Sequence, residues 1–167
     1  MDYMFGLPST KQHNVYVFVV IDIFYKMAIL VACKKSVTAE ATTKPFFEWV
    51  WVHFGISKTI ISYQDSNFLS TLWLILYSMV ETNLTKSTIF QPQNDGQAKV
   101  VNKMIVHILC MYNSKHMWAW DEILPYVTHN YNKSLHCSIG HNPFQVVLGF
   151  QPLCPIDVAF PFATTHE

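Results

Sequence analysis

The residues best placed to do chemistry lie in one stretch, Gln91 to Met104 (QPQNDGQAKVVNKM). Its first half is a loop of turn formers, and its second half opens a helix. On that helix Asn102 and Lys103 fall one turn beyond Lys99 and are expected to share its face. Ammonium groups and an amide on one face, behind a loop carrying Gln97, could contact phosphates. On the pattern alone, a solvated helix face is the favoured reading of the same residues. Other reactive side chains offer less. The cysteines (Cys33, Cys110, Cys137, Cys154) are scattered with no C-x-x-C pair, and the histidines include no H-E-x-x-H. A structural zinc site is therefore not expected, and the thiols are expected to behave as buried apolar groups. His107 and His116 need no ligand role. Phe46, Phe47, Trp49, Trp51 and Phe54 could be mistaken for a base-stacking platform. Their spacing fits helix packing, so a place in the core is expected.

Composition bounds these readings. The 167 residues are about one domain's worth, enough to bury a core without disulfide or metal staples. Charged residues make up only 13%, against roughly 25% in an ordinary domain, which excludes disorder and implies a sticky surface. The net charge is zero, so no basic footprint points to nucleic acid. All 11 basic residues are lysine, and no guanidinium is present to grip phosphate bidentately. Asp2 stands where a signal peptide would be basic. The apolar run Val15 to Cys33 is broken by Asp22 and Lys26, and Leu72 to Val80 is far shorter than the ~20 residues of a spanning helix. No membrane partner is expected.

The elements that must position these residues follow from periodicity. Met1 to Phe5 reads as the stub of a strand, closed by Gly6-Leu7-Pro8. Val15 to Ile21 and Ala28 to Ala32 are β-branched and aromatic runs joined by a turn at Asp22, the pattern of a hairpin. Thr38 is a plausible N-cap for a helix that runs to His53, is stopped by Gly55 and contains Pro45. An interior proline costs roughly 3 kcal/mol or more. Strands are expected at Thr59 to Ser62 and Leu84 to Phe90, with an apolar helix at Leu69 to Glu81 between them. Val101, Met104, Ile105, Ile108, Leu109 and Tyr112 mark the buried face of a helix from Ala98 to Tyr112. Further helices are read at Trp120 to Tyr131 and Pro143 to Leu148. The order implies an α/β mixed sheet with helices on its faces.

The segment Gln91 to Met104 resembles the H-P-Q-T-D-G-Q-T-E-V-V-N-R stretch of gypsy-class LTR-retrotransposon integrases. The likeness runs along nearly the whole chain. Asp2-Tyr3 with Gly6-Leu7-Pro8 is similar to that family's M-D-F-x-x-G-L-P start, and Val19 to Ala28 (VVIDIFYKMA) to its V-V-V-D-R-F-S-K-M-A hairpin. Ile61 to Phe68 (ISYQDSNF) resembles V-S-D-R-D-S-x-F, Leu124 to Asn132 (LPYVTHNYN) resembles L-P-x-V-x-x-x-Y-N, and Ser138 to Pro152 closes the match. The resemblance implies an RNase H-like mixed sheet with helices on both faces over residues 1–150, its first strand truncated, followed by a Pro-rich tail over residues 151–167. It also implies ancestral DNA integration, nucleic acid binding, a nuclear location and a possible homodimer.

That family carries a D…D-x35-E triad holding two magnesium ions. Phosphodiester transfer needs two hard cations roughly 3.5–4 Å apart, one at the attacking and one at the leaving oxygen, and magnesium takes carboxylate oxygens and water. By the resemblance, Asp2 is the first carboxylate, while the second falls on Tyr63 and the third on Lys99, with the 35-residue spacing intact. A phenol is a poor magnesium ligand and an ammonium repels the metal. No cofactor is therefore expected, and loss of catalysis is. Asp65 and Asp95 are the nearest substitute carboxylates and read as loop residues. Family arginines fall on Ile23, Gln64, Lys103, Cys110 and Lys133, and the loop histidine on Gln91, so the missing guanidinium groups reflect drift. The resemblance assigns Gln97, Lys99, Asn102 and Lys103 to nucleic acid, leaving weak, non-specific DNA binding by lysines. A retained DNA- or protein-binding module and an unselected remnant are the alternative readings. If the sheet forms, Asp2, Tyr63 and Lys99 are expected to converge, with the Lys99 ammonium near Asp2.

Overall fold

A computed structural model describes residues 1–34, 39–55, 58–62, 83–86, 101–109 and 117–159. Three antiparallel strands, β1 (Asp2–Met4), β2 (Asn14–Ile21) and β3 (Ala28–Lys34), form one sheet in the order β1-β2-β3. Tyr3 pairs with Phe18, and Met4 with Val17, so alternate residues point to opposite faces. Val17 and Phe18 are both 0% exposed although they face opposite ways. Both faces of this sheet are covered. The expected hairpin is present, and Asp22 fixes its turn: Oδ1 accepts the backbone N–H groups of Phe24 (2.8 Å) and Tyr25 (2.7 Å).

One face packs against a helix that runs through Pro45. α1 (Ala39–Phe46) continues into a π-helical stretch (Phe47–Trp51) and a final turn, α2 (Val52–Phe54), which ends at Gly55 with φ 71°. Proline has no N–H to give the ladder, and its ring crowds the carbonyl one turn back. The helix stays continuous but widens just behind the proline, where Val52 N–H reaches back to the Phe47 carbonyl. Phe46 and Val50, four residues apart, are buried with Tyr3, Phe18 and Ile60. The aromatic cluster departs from its expected core role: Phe46 is buried, but Trp49 (51% exposed), Trp51 and Phe54 face outward. A helix lying on a sheet has one buried stripe, and aromatics at 46, 47, 49, 51 and 54 point in too many directions to share it.

The second face carries two helices. Residues 101–109 form the described part of α3, with Val101, Ile105 and Leu109 buried as the periodicity requires. α4 (Trp120–Lys133) follows a short 3-10 turn at Met117–Ala119. These helices close a core of Met4, Val17, Val19, Ala28 and Leu30 with Trp120, Leu124 and Val127. Two polar clamps hold α4 in place. The Trp120 indole N–H donates to the Pro8 carbonyl (2.7 Å), and Asp121 Oδ2 accepts from Thr10 Oγ1 (2.7 Å) and Asn14 Nδ2 (2.8 Å). At the other end, buried Asn132 accepts from Ala28 N–H and donates to Ala28 C=O, both at 2.9 Å. Its amide stands in for a neighbouring strand at the edge of β3, leaving neither backbone group orphaned.

β4 (Thr59–Ser62) and β5 (Asn83–Lys86) pair in parallel, and the Met1 nitrogen donates to the Ile61 carbonyl at 2.6 Å, tying β4 to the start of β1. The helix read at Leu69 to Glu81, the cap at Thr38 and Tyr112 lie outside the described residues. α5 (Pro143–Leu148) has the form its sequence implies, with Asn142 Oδ1 capping Gln145 N–H at 2.7 Å and Gly149 left-handed at φ 76°. The segment read as a Pro-rich tail contains a helical turn, α6 (Pro155–Ala159), held to the end of α4 by an ion pair between Lys133 and Asp157. The Lys133 ammonium, followed by the Cys154 N–H, keeps the Asp157 carboxyl well below the usual carboxylate range.

The cysteines also depart from expectation: Cys137 is exposed, and Cys33 and Cys154 are half-buried. Cys137 sits in the turn after α4, where backbone bonds between His136, Ile139, Gly140 and His141 leave no interior to enter. For Cys33, burial pushes the thiol up to about 11, partly offset by a backbone hydrogen bond. No helix among the described residues is long and apolar enough to cross a membrane.

Pro45→Leu is expected to stabilise the domain by about 1–2 kcal/mol, because it restores a donor and removes a clash inside a helix. For this chain length that corresponds to a rise of roughly 2–8 °C in Tm, read by thermal melting. An unchanged or lowered Tm would show that the π-helical stretch is needed to seat Phe46 and Val50.

Candidate functional site

The edge of the sheet where β1 begins gathers three elements. Asp2 opens β1. The Met1–Ile61 hydrogen bond brings the end of β4 to the same point. α3 arrives from the other side, because its Val101, Ile105 and Leu109 stripe must face the core. Once that stripe is buried the helix has no rotational freedom, and the residue after Val101 is carried to the sheet edge. Asn102 Nδ2 accordingly donates to Asp2 Oδ2 at 2.6 Å across 100 residues of sequence, while Asp2 Oδ1 accepts the Tyr3 N–H at 2.8 Å.

This geometry separates two residues that sequence reading put together. Asn102 is half-buried against Asp2, whereas Lys103 is exposed. Successive helix residues do not face each other, so the pair cannot present one surface. Lys103 faces solvent, and Asn102 is held against Asp2. The Asn102 Oδ1 atom is buried and has no hydrogen-bond partner among the described residues, and a buried acceptor without a donor is costly. Tyr63, Lys99, Gln97, Asp65 and Asp95 lie outside the described residues. What the described residues establish is the convergence of β1, the end of β4 and α3. Among them, no group of three or more His, Cys, Asp or Glu side chains could hold a metal ion.

The Asn102–Asp2 contact was not read from the sequence. Its only signal there was that Asn102 adjoins Val101 on a helix whose buried stripe is plain, and the partner strand lies too far away in sequence for spacing to reveal it. The Thr10–Asn14–Asp121 network was missed for the same reason.

A double-mutant cycle with Asp2→Ala and Asn102→Ala is expected to show a coupling energy of about 1.5–3 kcal/mol in denaturant unfolding, the range of a hydrogen bond to a charged group. Strict additivity would show that the contact contributes nothing.

Comparison with known proteins gives this arrangement a family. No protein-family model matches the chain. It is 35% identical over 159 residues to the Transposon Tf2-3 and Tf2-4 polyproteins of Schizosaccharomyces pombe. The match takes in 95% of this chain but 12% of each relative, so the chain spans about an eighth of the length of the curated relatives it matches. Among solved structures, the HTLV-2 integrase catalytic core domain in complex with magnesium superposes with a TM-score of 0.68 at 16% identity, covering 87% of this chain and 93% of that one. The BIV integrase catalytic core domain gives 0.64 at 13%, covering 89% and 93%. A simian T-cell lymphotropic virus intasome gives 0.72 at 15%, covering 92% of this chain and 55% of that one. At those identities the structures speak for the fold, the RNase H-like fold of integrase cores. Together, the transposon relatives along nearly the full length of the chain and these structures support an integrase core of LTR-retrotransposon type.

Proposed function

We propose that this domain is an integrase core that binds DNA weakly and without sequence preference, and that it does not carry out metal-dependent strand transfer. The observation that carries the proposal is the donor set at the triad positions. Only Asp2 is a carboxylate, and Tyr63 and Lys99 occupy the other two. The HTLV-2 core was solved with magnesium. Here the residues do not fit that ion. Two magnesium ions need several carboxylate oxygens in octahedral shells, and both oxygens of Asp2 already accept hydrogen bonds, from Tyr3 and Asn102. A phenol supplies no charge, and an ammonium opposes the cation. Without the metals, the attacking hydroxyl is not activated and the leaving oxygen is not stabilised, so no step is derived through them.

DNA binding rests on lysine. Lys103 projects to solvent from α3, and the same proposal extends to Gln97 and Lys99 by the family resemblance. An ammonium neutralises phosphate as a point charge, without the two-point geometry of a guanidinium. Contacts of that kind position a backbone but carry no sequence information. Self-association belongs to the same proposal, since the HTLV-2 core is described in dimeric and trimeric forms, and so does a nuclear location.

In a nicking and strand-transfer assay with magnesium or manganese, the purified chain is expected to give no product above background. Metal-dependent product that disappears in Asp2→Asn would overturn the proposal. In a binding titration against duplex DNA, affinity is expected to fall steeply with salt and to be equal across sequences. Lys103→Ala should lower the slope of log K against log salt by about one unit. Binding that persists at high salt, or that separates one sequence from another, would contradict a lysine-and-phosphate mode.

A further inference from the structure

Away from the sheet edge, the end of α4 and the start of α6 bring together an amine, a thiol and a carboxylate. Lys133 Nζ lies 3.6 Å from Cys154 Sγ and is ion-paired with Asp157 Oδ2. That same carboxylate oxygen accepts the Cys154 N–H at 2.8 Å, which fixes the segment carrying the sulfur. The Lys133 side chain is 22% exposed, enough for a small oxidant to reach the cluster. Cys33 donates to the Val31 carbonyl and Cys137 lies exposed in a turn. Among the described residues neither has a recorded lysine nitrogen within hydrogen-bond reach.

We propose that Lys133 and Cys154 form a covalent nitrogen–sulfur cross-link when the protein meets a peroxide. A sulfenic acid condenses with a nearby thiol or nitrogen, and here the adjacent nucleophile is the Lys133 amine. In the first step the Cys154 sulfur attacks one peroxide oxygen and the O–O bond breaks. The departing hydroxide takes the thiol proton and leaves as water. Sulfur is oxidised by two electrons and the peroxide is reduced by two. In the second step the Lys133 nitrogen attacks the sulfenic sulfur, the N–S bond forms and the S–O bond breaks. The lysine ammonium gives up two protons: one converts the leaving hydroxide to water, and the other passes through Asp157 to solvent. No further oxidant is needed. The product ties α6 to the end of α4 through a bond that closes a 21-residue separation, and an added thiol reverses it.

The test is peptide mass spectrometry of the whole chain after hydrogen peroxide treatment. The expected result is a joined pair of peptides containing residues 133 and 154, lighter by two hydrogens than their sum, which separates on treatment with a thiol. Asp157 raises the Lys133 pKa, first through its hydrogen bond, so the amine is held protonated and the yield should climb as pH rises toward the lysine range. Lys133→Arg retains the ion pair but has no competent amine, and it should abolish the joined species, as should Cys154→Ser. Cys154 carried to a sulfinic acid with no joined peptide would overturn the proposal. So would a joined peptide that survives Lys133→Arg.

Discussion

The constraint from which the structure follows is that β2 is buried on both sides. Val17, Phe18 and Val19 are at most 1% exposed while pointing alternately to opposite faces. A strand of that kind cannot stand at a solvent surface, so each face of the sheet needs a cover. The stretch from α1 to α2 covers one through Phe46 and Val50, and α3 with α4 covers the other. At roughly 1.5–3 kcal/mol per large apolar side chain buried, this double burial outweighs local penalties such as the proline within α1.

The same packing decides the site. Asp2 and Asn102 meet because α3 is rotated to bury Val101, Ile105 and Leu109, not because either residue has a local preference for the other. The convergence of β1, β4 and α3 is thus a by-product of core burial. It does not depend on which polar side chains stand at the sheet edge, because changing one of them removes none of the apolar area that holds the elements together.

Electrostatics plays a lesser part, and it is concentrated. Lys133 secures α6 by pairing with Asp157. A single partly shielded ion pair can do this because Asp157 also accepts the Cys154 N–H, so the carboxylate organises the turn as well as balancing the charge. Elsewhere charge is sparse, and polar groups act mainly by joining backbone segments, as Asn132 does at Ala28 and Asp121 does at Thr10 and Asn14.

Local signals in the sequence determined the hairpin with its Asp22 turn, the stop at Gly55, the strand at Thr59 to Ser62, the buried stripe of α3 and the extent of α5. Each is written within a few residues by alternation, by period or by a turn former, and the ordered motifs carry the resemblance to integrase cores. The tertiary structure alone decided which aromatics of the α1–α2 stretch are buried, because a helix has one face to offer and the sequence does not say which. It alone turned Asn102 inward and Lys103 outward, and built a helix into the C-terminal segment by docking it on Lys133. These outcomes depend on partners tens of residues away, brought near only once both faces of β2 were covered.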